Sequence, residues 1–215
     1  MCSMDRNYPI AQRQDWVQLA DSLGLPTKQI ESSWNEIFSS YQGPDRFYHN
    51  LVHISDMLTL CEQYRSHIEQ PEVVAISIWF HDIIYQVDRK DNEKRSAERA
   101  TFYLQHSALT TTEVELVYQL ILATQHHQLS IAYPDLAYLL DFDLAVLGRD
   151  WDNYLLYTSQ IRKEYSIYSA EQYRLGRKKV LQHFLGRETL YFTVIGQELW
   201  EEKARANLKM ELFSL

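Results

Sequence analysis

The sequence has few of the residues that mark secreted or membrane-spanning proteins. Only two of its 215 residues are cysteines, and Cys2 and Cys61 form no CxxC pair, so neither a disulfide framework nor a thiolate zinc site is indicated. The longest apolar run is about eight residues, far below the roughly twenty that a bilayer-spanning helix needs. The first residues, MCSMDRNYPIAQRQ, contain no signal-peptide-like apolar stretch. We therefore expect a soluble protein of the reducing cytoplasm.

Basic charge is also scarce. Lysine and arginine number 21 against 29 acidic residues, which gives a net charge of −8. A protein without a basic field gains little from counterion release along a phosphate backbone. Duplex nucleic acid is therefore not an expected partner, whereas a small anionic ligand could still bind a local basic pocket. The composition allows a monomer or a homodimer.

Glycine and proline, six and five in number, mostly separate long segments that have helical periodicity. This pattern predicts an all-α fold. Capping boxes are expected to begin at Thr110 and Ser169, and Pro134 and Gly148 bracket one helix. No repeat or polar linker interrupts the chain, so we predict a single domain over residues 1–215. The predicted helices span residues 9–23, 28–42, 47–66, 72–84, 93–107, 112–127, 134–147, 151–166, 170–185 and 197–212.

Histidines and a carboxylate stand at positions that favour a metal site. His49 and His53 are four residues apart, so on a helix they would project from one face. The segment 73–84 is apolar on all sides of a helix, which marks a buried element, and it carries His81 and Asp82 near its end. A buried unpaired carboxylate costs several kcal/mol or takes up a proton. A divalent metal would satisfy Asp82.

The segment PDLAYLLDFDLAVLG, residues 134–148, offers a second carboxylate. Asp143 lies on the apolar stripe of Leu136 and Leu140, whereas Asp141 sits about 160° away around the helix. We therefore expect Asp143 to face inward. Asp141 is expected to be a surface acid or to support a ligand from behind.

Together, His53, His81, Asp82 and Asp143 provide two imidazoles and two carboxylates, a set that suits Mn, Fe, Co, Ni, Zn or Mg. The order of these four residues resembles that of the HD superfamily of metal-dependent phosphohydrolases. The same resemblance extends to the segments RFYHNLVHISDML, WFHDIIY, NEKRSAE, LATQHH and DFDLAVLG and to the tail from IRKEY to ARANLKMEL. The resemblance is to a bacterial branch of predicted phosphohydrolases and extends from about residue 34 to residue 212.

The resemblance implies a helical bundle of HD-domain type that binds one divalent metal, or two, through these four residues. The metal-site core would span about residues 45–150, with C-terminal helices over 151–212 packed on it. Asp82 would be both a ligand and the residue that orients or deprotonates the attacking water. The implied substrate is a small phosphorylated metabolite of nucleotide-like class, because a metal that acidifies water and screens phosphoryl charge supplies what phosphoester hydrolysis needs.

Further residues have candidate roles in this reading. Arg46 would bind phosphate, and Glu93 would hold a water or a histidine. His126 and His127 would contact substrate or a second metal; they point about 100° apart on a helix, so at most one should face the metal. His49 would either orient a neighbouring ligand or bond a carbonyl.

Two other functional classes stay open at the level of sequence. A di-iron oxygenase of the same fold would take an extra imidazole from His126 or His127. A non-catalytic helical module would keep the metal for structure and bind a nucleotide or a protein partner. An open coordination position distinguishes catalytic from structural metal sites.

Overall fold

The computed structural model describes residues 8–215, with side chains from residue 10 onward. The predictions about Cys2 and the first seven residues lie outside this range. All regular structure in residues 8–215 is helical, without a β-strand, which confirms the all-α prediction. The helices are α1 (Tyr8–Ser22), α2 (Thr27–Tyr41), α3 (Leu51–Gln63), α4 (Pro71–Phe80), α5 (Asn92–Leu104), α6 (Thr111–Ala123), α7 (Pro134–Leu144), α8 (Trp151–Glu164), α9 (Ala170–Leu185), α10 (Val194–Gly196) and α11 (Glu202–Ser214), with 3₁₀ turns at Arg65–His67 and Ala145–Gly148 and a π-helical stretch at Gln197–Glu201.

Both predicted capping boxes are present. At the start of α6, Thr110 Oγ1 accepts from the Glu113 backbone N–H at 3.3 Å, and the Glu113 carboxylate accepts from the Thr110 N–H at 2.7 Å. Ser169 and Gln172 make the same reciprocal pair before α9. Each box satisfies two N–H groups that have no partner within the helix, and α9 accordingly occupies the predicted range.

Three predicted helix ends near the histidines are wrong. Helix α3 begins at Leu51, not at residue 47, because the Asn50 side chain caps it by accepting from the Val52 N–H at 2.8 Å. Helix α4 ends at Phe80 instead of continuing to residue 84. Helix α6 ends at Ala123 instead of 127. As a result, His49, His81 and both histidines of the pair at 126–127 lie in turns next to helices.

The interior of the first seven helices is apolar and aromatic. Helix α4 is buried along nearly its whole length and packs against α1, α3, α5, α6 and α7, as its apolar sequence predicts. The rings of Trp79 and Phe80 each meet Trp16 edge to face at 5.7 Å between centroids. Burial on every side makes α4 a rigid support for the residues that follow it.

A smaller apolar cluster joins the C-terminal helices to the 3₁₀ turn after α7. It contains Tyr154 from α8, Leu181 from α9, Tyr191, and Leu208 from α11. Trp200 packs against both clusters, so the two clusters are contiguous. Among the helices of residues 8–215, none has the length and apolar character needed to cross a membrane.

Candidate metal centre

Three helical elements bring four side chains to one point. His53 lies on α3, His81 and Asp82 directly follow α4, and Asp143 lies near the end of α7. The ligand atoms of His53, His81 and Asp143 all lie within 4.8 Å of one another. His53 Nε2 is 3.3 Å from His81 Nε2 and 3.1 Å from Asp143 Oδ1. This buried group could hold a metal ion.

Asp82 lies at the edge of this group. Its Oδ2 atom is 3.1 Å from His81 Nε2 and 4.0 Å from His49 Nε2. The Asp82 side chain is 12% exposed, compared with 2% for His81. Three of the four predicted ligands therefore converge, and Asp82 lies beside them in contact with His81. The two carboxylates, 12% and 13% exposed, are more accessible than the two histidines.

The protonation of His81 is set by a backbone contact. His81 Nδ1 lies 2.8 Å from the Ile78 carbonyl oxygen, and a carbonyl oxygen can only accept a hydrogen bond. Nδ1 therefore carries a proton. In the neutral ring Nε2 is then unprotonated and faces His53 and Asp143, which is the arrangement that a metal-ligating histidine requires.

The charges in the centre balance one another. Burial lowers the pKa of His81, but the carboxylate of Asp82 outweighs burial and raises it to about 9. Burial raises the pKa of Asp82, but the charges of His81 and His49 outweigh it and hold the pKa below its ordinary value. In Asp143, hydrogen bonds from His127 and His53 likewise overcome burial and lower the pKa. His81 and the two carboxylates thus favour one another's charged forms, whereas burial lowers the pKa of His53.

Only one residue of the pair at 126–127 reaches the centre. His127 Nε2 lies 2.8 Å from Asp143 Oδ2, whereas His126 is exposed. His127 has a positive φ of 47°, a left-handed conformation that is unusual for a residue with a Cβ atom. Arg187 donates to the carbonyl oxygens of His127 and His126 at 3.0 and 2.8 Å. Arg187 therefore holds the turn that points His127 at Asp143.

His49 also faces the centre, although it is not on α3. Its Nδ1 atom contacts the carboxylate of Glu164 at 2.6 Å, and its Nε2 atom is the one directed at Asp82. Burial lowers the pKa of His49, but the carboxylates of Asp82 and Glu164 raise it by more.

Arg46 and Glu93 lie close to the centre. The Arg46 guanidinium donates to the carbonyl oxygens of Asp82 at 2.7 Å, Ile83 at 3.0 Å and His49 at 3.1 Å. It thereby ties the segment before α3 to the turn after α4. Its phosphate-binding role stays a prediction. Glu93 is partly buried, and burial, with the negative charge of Asp82, raises its pKa.

Asp141 is buried and not a surface acid. It accepts from the backbone N–H groups of Phe192 and Thr193 at 2.8 Å and from the Thr193 hydroxyl at 2.7 Å. Burial raises its pKa to about 6. The expectation that Asp141 lies at the surface was wrong, because the C-terminal segment covers the side of α7 that faces away from α1–α6.

Sequence reasoning assigned no role to Glu164, and it expected one or two of the tail arginines, Arg187 among them, to close over the pocket without distinguishing which. A signal for Glu164 was present, since it lies on the buried stripe of α8 with Tyr154 and Ile161, and an acid on such a stripe needs a partner. No comparable signal exists for Arg187, because its contacts are to backbone carbonyls far away in sequence.

Comparison of the chain with protein-family models, with curated proteins and with solved structures finds no match. The resemblance to the HD superfamily therefore depends on the sequence motifs alone. The arrangement of the His and Asp side chains in the candidate metal centre is the structural basis for a function.

Proposed function

We propose that the protein is a metal-dependent phosphohydrolase of HD type that acts on a small phosphorylated metabolite. The expected substrate is nucleotide-like: a monoester, an anhydride or a phosphodiester. The observation that carries the proposal is the convergence of His53, His81 and Asp143 from three helical elements, with Asp82 beside them. The order and types of these residues are those that the sequence resemblance implies for a metal site.

The donor set fits a divalent ion. Two imidazole nitrogens and two carboxylates suit Mn, Fe, Co, Ni, Zn or Mg, and the proton on His81 Nδ1 leaves Nε2 available as a ligand. An ion at this point would also compensate Asp82 and Asp143, two carboxylates that lie only a few ångströms from the same imidazole. Buried carboxylates without such compensation are costly.

The chemistry follows from the position of Asp82. A divalent ion would lower the pKa of a bound water and screen phosphoryl charge. Asp82 lies on the accessible edge of the cluster, where its carboxylate can contact both an ion and an incoming water. This placement supports Asp82 as a ligand and as the group that orients the attacking water.

The position of His127 favours one second candidate, a di-iron oxygenase. Its Nε2 atom lies against Asp143 and could supply an additional imidazole to a second ion. Metal analysis of protein purified in air tests this candidate. An iron pair in each chain, with an optical spectrum that responds to reductant and oxygen, would favour the oxygenase; any other metal content would remove it.

The central experiment measures phosphate release. Protein stripped of metal and reloaded with Mn²⁺, Co²⁺ or Ni²⁺ is assayed against a panel of nucleotides and generic phosphoesters. We expect turnover of at least one substrate, and we expect His81→Ala and Asp82→Ala to reduce it to the level of the metal-free protein. His106→Ala, which changes an exposed histidine, is the matched control and should retain activity.

A panel without turnover, obtained with metal demonstrably bound, would contradict the proposal. Thermal unfolding in the presence of chelator or nucleotides then identifies the remaining alternative. Strong stabilisation by a nucleotide without hydrolysis would favour a non-catalytic binding module, because a ligand that binds only the folded state raises its stability.

A further inference from the structure

A buried carboxylate next to the metal centre has four hydrogen-bond donors around it. The side chain of Glu164, the last residue of α8, is 0% exposed. Its Oε1 atom accepts from the backbone N–H groups of Tyr48 and His49 at 2.7 and 2.9 Å. Its Oε2 atom contacts His49 Nδ1 at 2.6 Å and accepts from the Tyr85 hydroxyl at 3.1 Å. Glu164 is therefore fixed, and it fixes the residues around it.

These contacts determine which nitrogen of His49 carries a proton. Burial raises the pKa of Glu164, but its bonds with His49 and with the backbone N–H groups lower the pKa below its ordinary value. The carboxylate is therefore ionised at neutral pH, and an ionised carboxylate can only accept. His49 Nδ1 must therefore be protonated. In the neutral ring Nε2 then has a free lone pair. Stacking on Tyr85, with centroids 4.2 Å apart and planes 30° apart, fixes the plane of the ring, and the contact of Nδ1 with Glu164 fixes which edge of the ring faces Asp82.

The free nitrogen is directed at Asp82, a candidate ligand that is more exposed than the two histidines, at 12% compared with 3% for His53 and 2% for His81. His49 Nε2 and Asp82 Oδ2 are 4.0 Å apart, too far for a hydrogen bond between them. Both atoms are acceptors when His49 is neutral. A molecule placed beside both of them must therefore offer a donor, and a water or a substrate hydroxyl is the simplest molecule that does.

We infer that Glu164 is a positioning residue for the metal centre. It fixes His49 in the tautomer that has the proton on Nδ1, so that Nε2 accepts a hydrogen bond from a water or hydroxyl held beside Asp82. This inference rests on the proposed function for the identity of that molecule. The tautomer itself follows from the contacts of Glu164 alone. The arrangement of a reacting group, an imidazole and a carboxylate that orients the imidazole is common among enzymes that move protons.

The variant Glu164→Gln tests the tautomer directly. The amide oxygen can still accept from the two backbone N–H groups, but the amide N–H₂ replaces the Oε2 acceptor opposite His49. A donor at that position requires Nδ1 to accept, which transfers the proton of the neutral ring to Nε2. Two-bond ¹H–¹⁵N correlation NMR distinguishes the tautomers, at a pH alkaline enough for the ring to be neutral. We expect the Nδ1–H form in the wild type and the Nε2–H form in Glu164→Gln.

Tyr85→Phe is the matched control for the NMR experiment. It removes the other side-chain donor to Glu164 but leaves the carboxylate, so the Nδ1–H tautomer should persist. An Nε2–H tautomer in the wild type would overturn the inference without any variant, which matters if Glu164→Gln proves unstable. An unchanged tautomer in folded Glu164→Gln would overturn it equally.

Kinetics and metal binding provide a second readout. If a phosphoester is hydrolysed, Glu164→Gln should lower kcat by about tenfold to hundredfold, as is typical for residues that orient groups at metal sites. KM and the affinity for Mn²⁺ should change little, because the four metal-binding side chains are intact. A loss of Mn²⁺ affinity that accounts for the lost activity would contradict the inference. A correct tautomer in a protein that hydrolyses nothing would support the positioning role and count against the proposed function.

Discussion

Helices α1–α7 and α8–α11 contribute to the candidate metal centre in different ways. The first seven helices carry every predicted ligand, and they do so around an aromatic core in which Trp16 and Trp79 are almost fully buried. The last four helices supply no predicted ligand. We call α1–α7 and the turns between them the first region and α8–α11 the second region. The second region acts on the centre through Glu164 and through Arg187, which follows α9, and both residues bond to backbone groups of the first region. Apolar packing thus sets where the ligands are, and charged contacts from a second region set how their neighbours are oriented.

The interiors of the two regions also differ. The second region buries an ion pair in which Arg177 donates to Glu211 at 2.7 and 2.9 Å, with the Tyr154 hydroxyl bonded to the same carboxylate. A charge pair of this kind gives directional contacts at the cost of desolvation. Removing one partner of this pair should therefore lower the stability of the second region by more than the small size of its apolar cluster would suggest.

The largest effect is expected from breaking this pair. Arg177→Ala leaves Glu211 buried without its cation and should lower the free energy of unfolding by about 3–5 kcal/mol. Urea denaturation followed by circular dichroism measures this. The double variant Arg177→Met with Glu211→Leu should recover most of the loss, since apolar replacements of both partners are often neutral or stabilising.

The matched control is Arg149→Ala, because its pair with Asp56 is 42% and 41% exposed. Exposed pairs contribute only about 0–1 kcal/mol. If Arg177→Ala cost no more than Arg149→Ala, the difference drawn between the two regions would be wrong.

A smaller effect is expected at the contact between the regions. Arg187→Ala removes the donors that hold the turn at His126 and His127, so His127 should no longer orient Asp143. The affinity for Mn²⁺ should fall about tenfold to hundredfold, as measured by calorimetry. Arg174→Ala, an exposed arginine of α9, should have no effect. In a His127→Ala background Arg187→Ala should add little, and an undiminished effect there would show that Arg187 does not act through His127.

The last effect, at most as large as that of Arg187→Ala, concerns pH. His81 has a pKa raised to about 9, whereas a metal-ligating imidazole must be neutral. Below this pKa the ion displaces a proton, so the apparent affinity for Mn²⁺ should increase as pH rises from neutrality to about 9, by up to about tenfold per pH unit for one released proton. Calorimetry in buffers of different protonation enthalpy counts the protons. Absence of proton release near neutral pH would contradict the charge balance described for the centre.

Much of the first region could be predicted from the sequence. The apolar pattern of 73–84 indicated a buried helix, and the capping box at Thr110 predicted the start of α6 to within one residue. In the second region the capping box at Ser169 did the same for α9. The inward direction of Asp143 followed from its apolar stripe. These features are local, because helical periodicity and capping depend on residues within a few positions of one another.

The contacts of the second region could not be predicted in this way. Glu164 meets His49 across 115 positions, and Arg187 meets His127 across 60. Both contacts depend on turns that replace part of a predicted helix: α3 begins later than predicted because Asn50 caps it, and α6 ends before the left-handed residue His127. A pattern of residue types does not encode which distant backbone groups a charged side chain will meet.

The anchoring of Asp141 has a consequence for the whole centre. Asp141 and Asp143 are two residues apart on α7 and so point to nearly opposite sides, about 160° apart around its axis. By binding the backbone of Phe192 and Thr193, Asp141 fixes the rotation of α7, and with it the direction of Asp143. Detachment of the segment after Arg187 would leave all four candidate ligands in the chain but would remove the contacts that hold this side of α7. The C-terminal segment is thus part of what holds the ligand geometry, although it contributes no ligand.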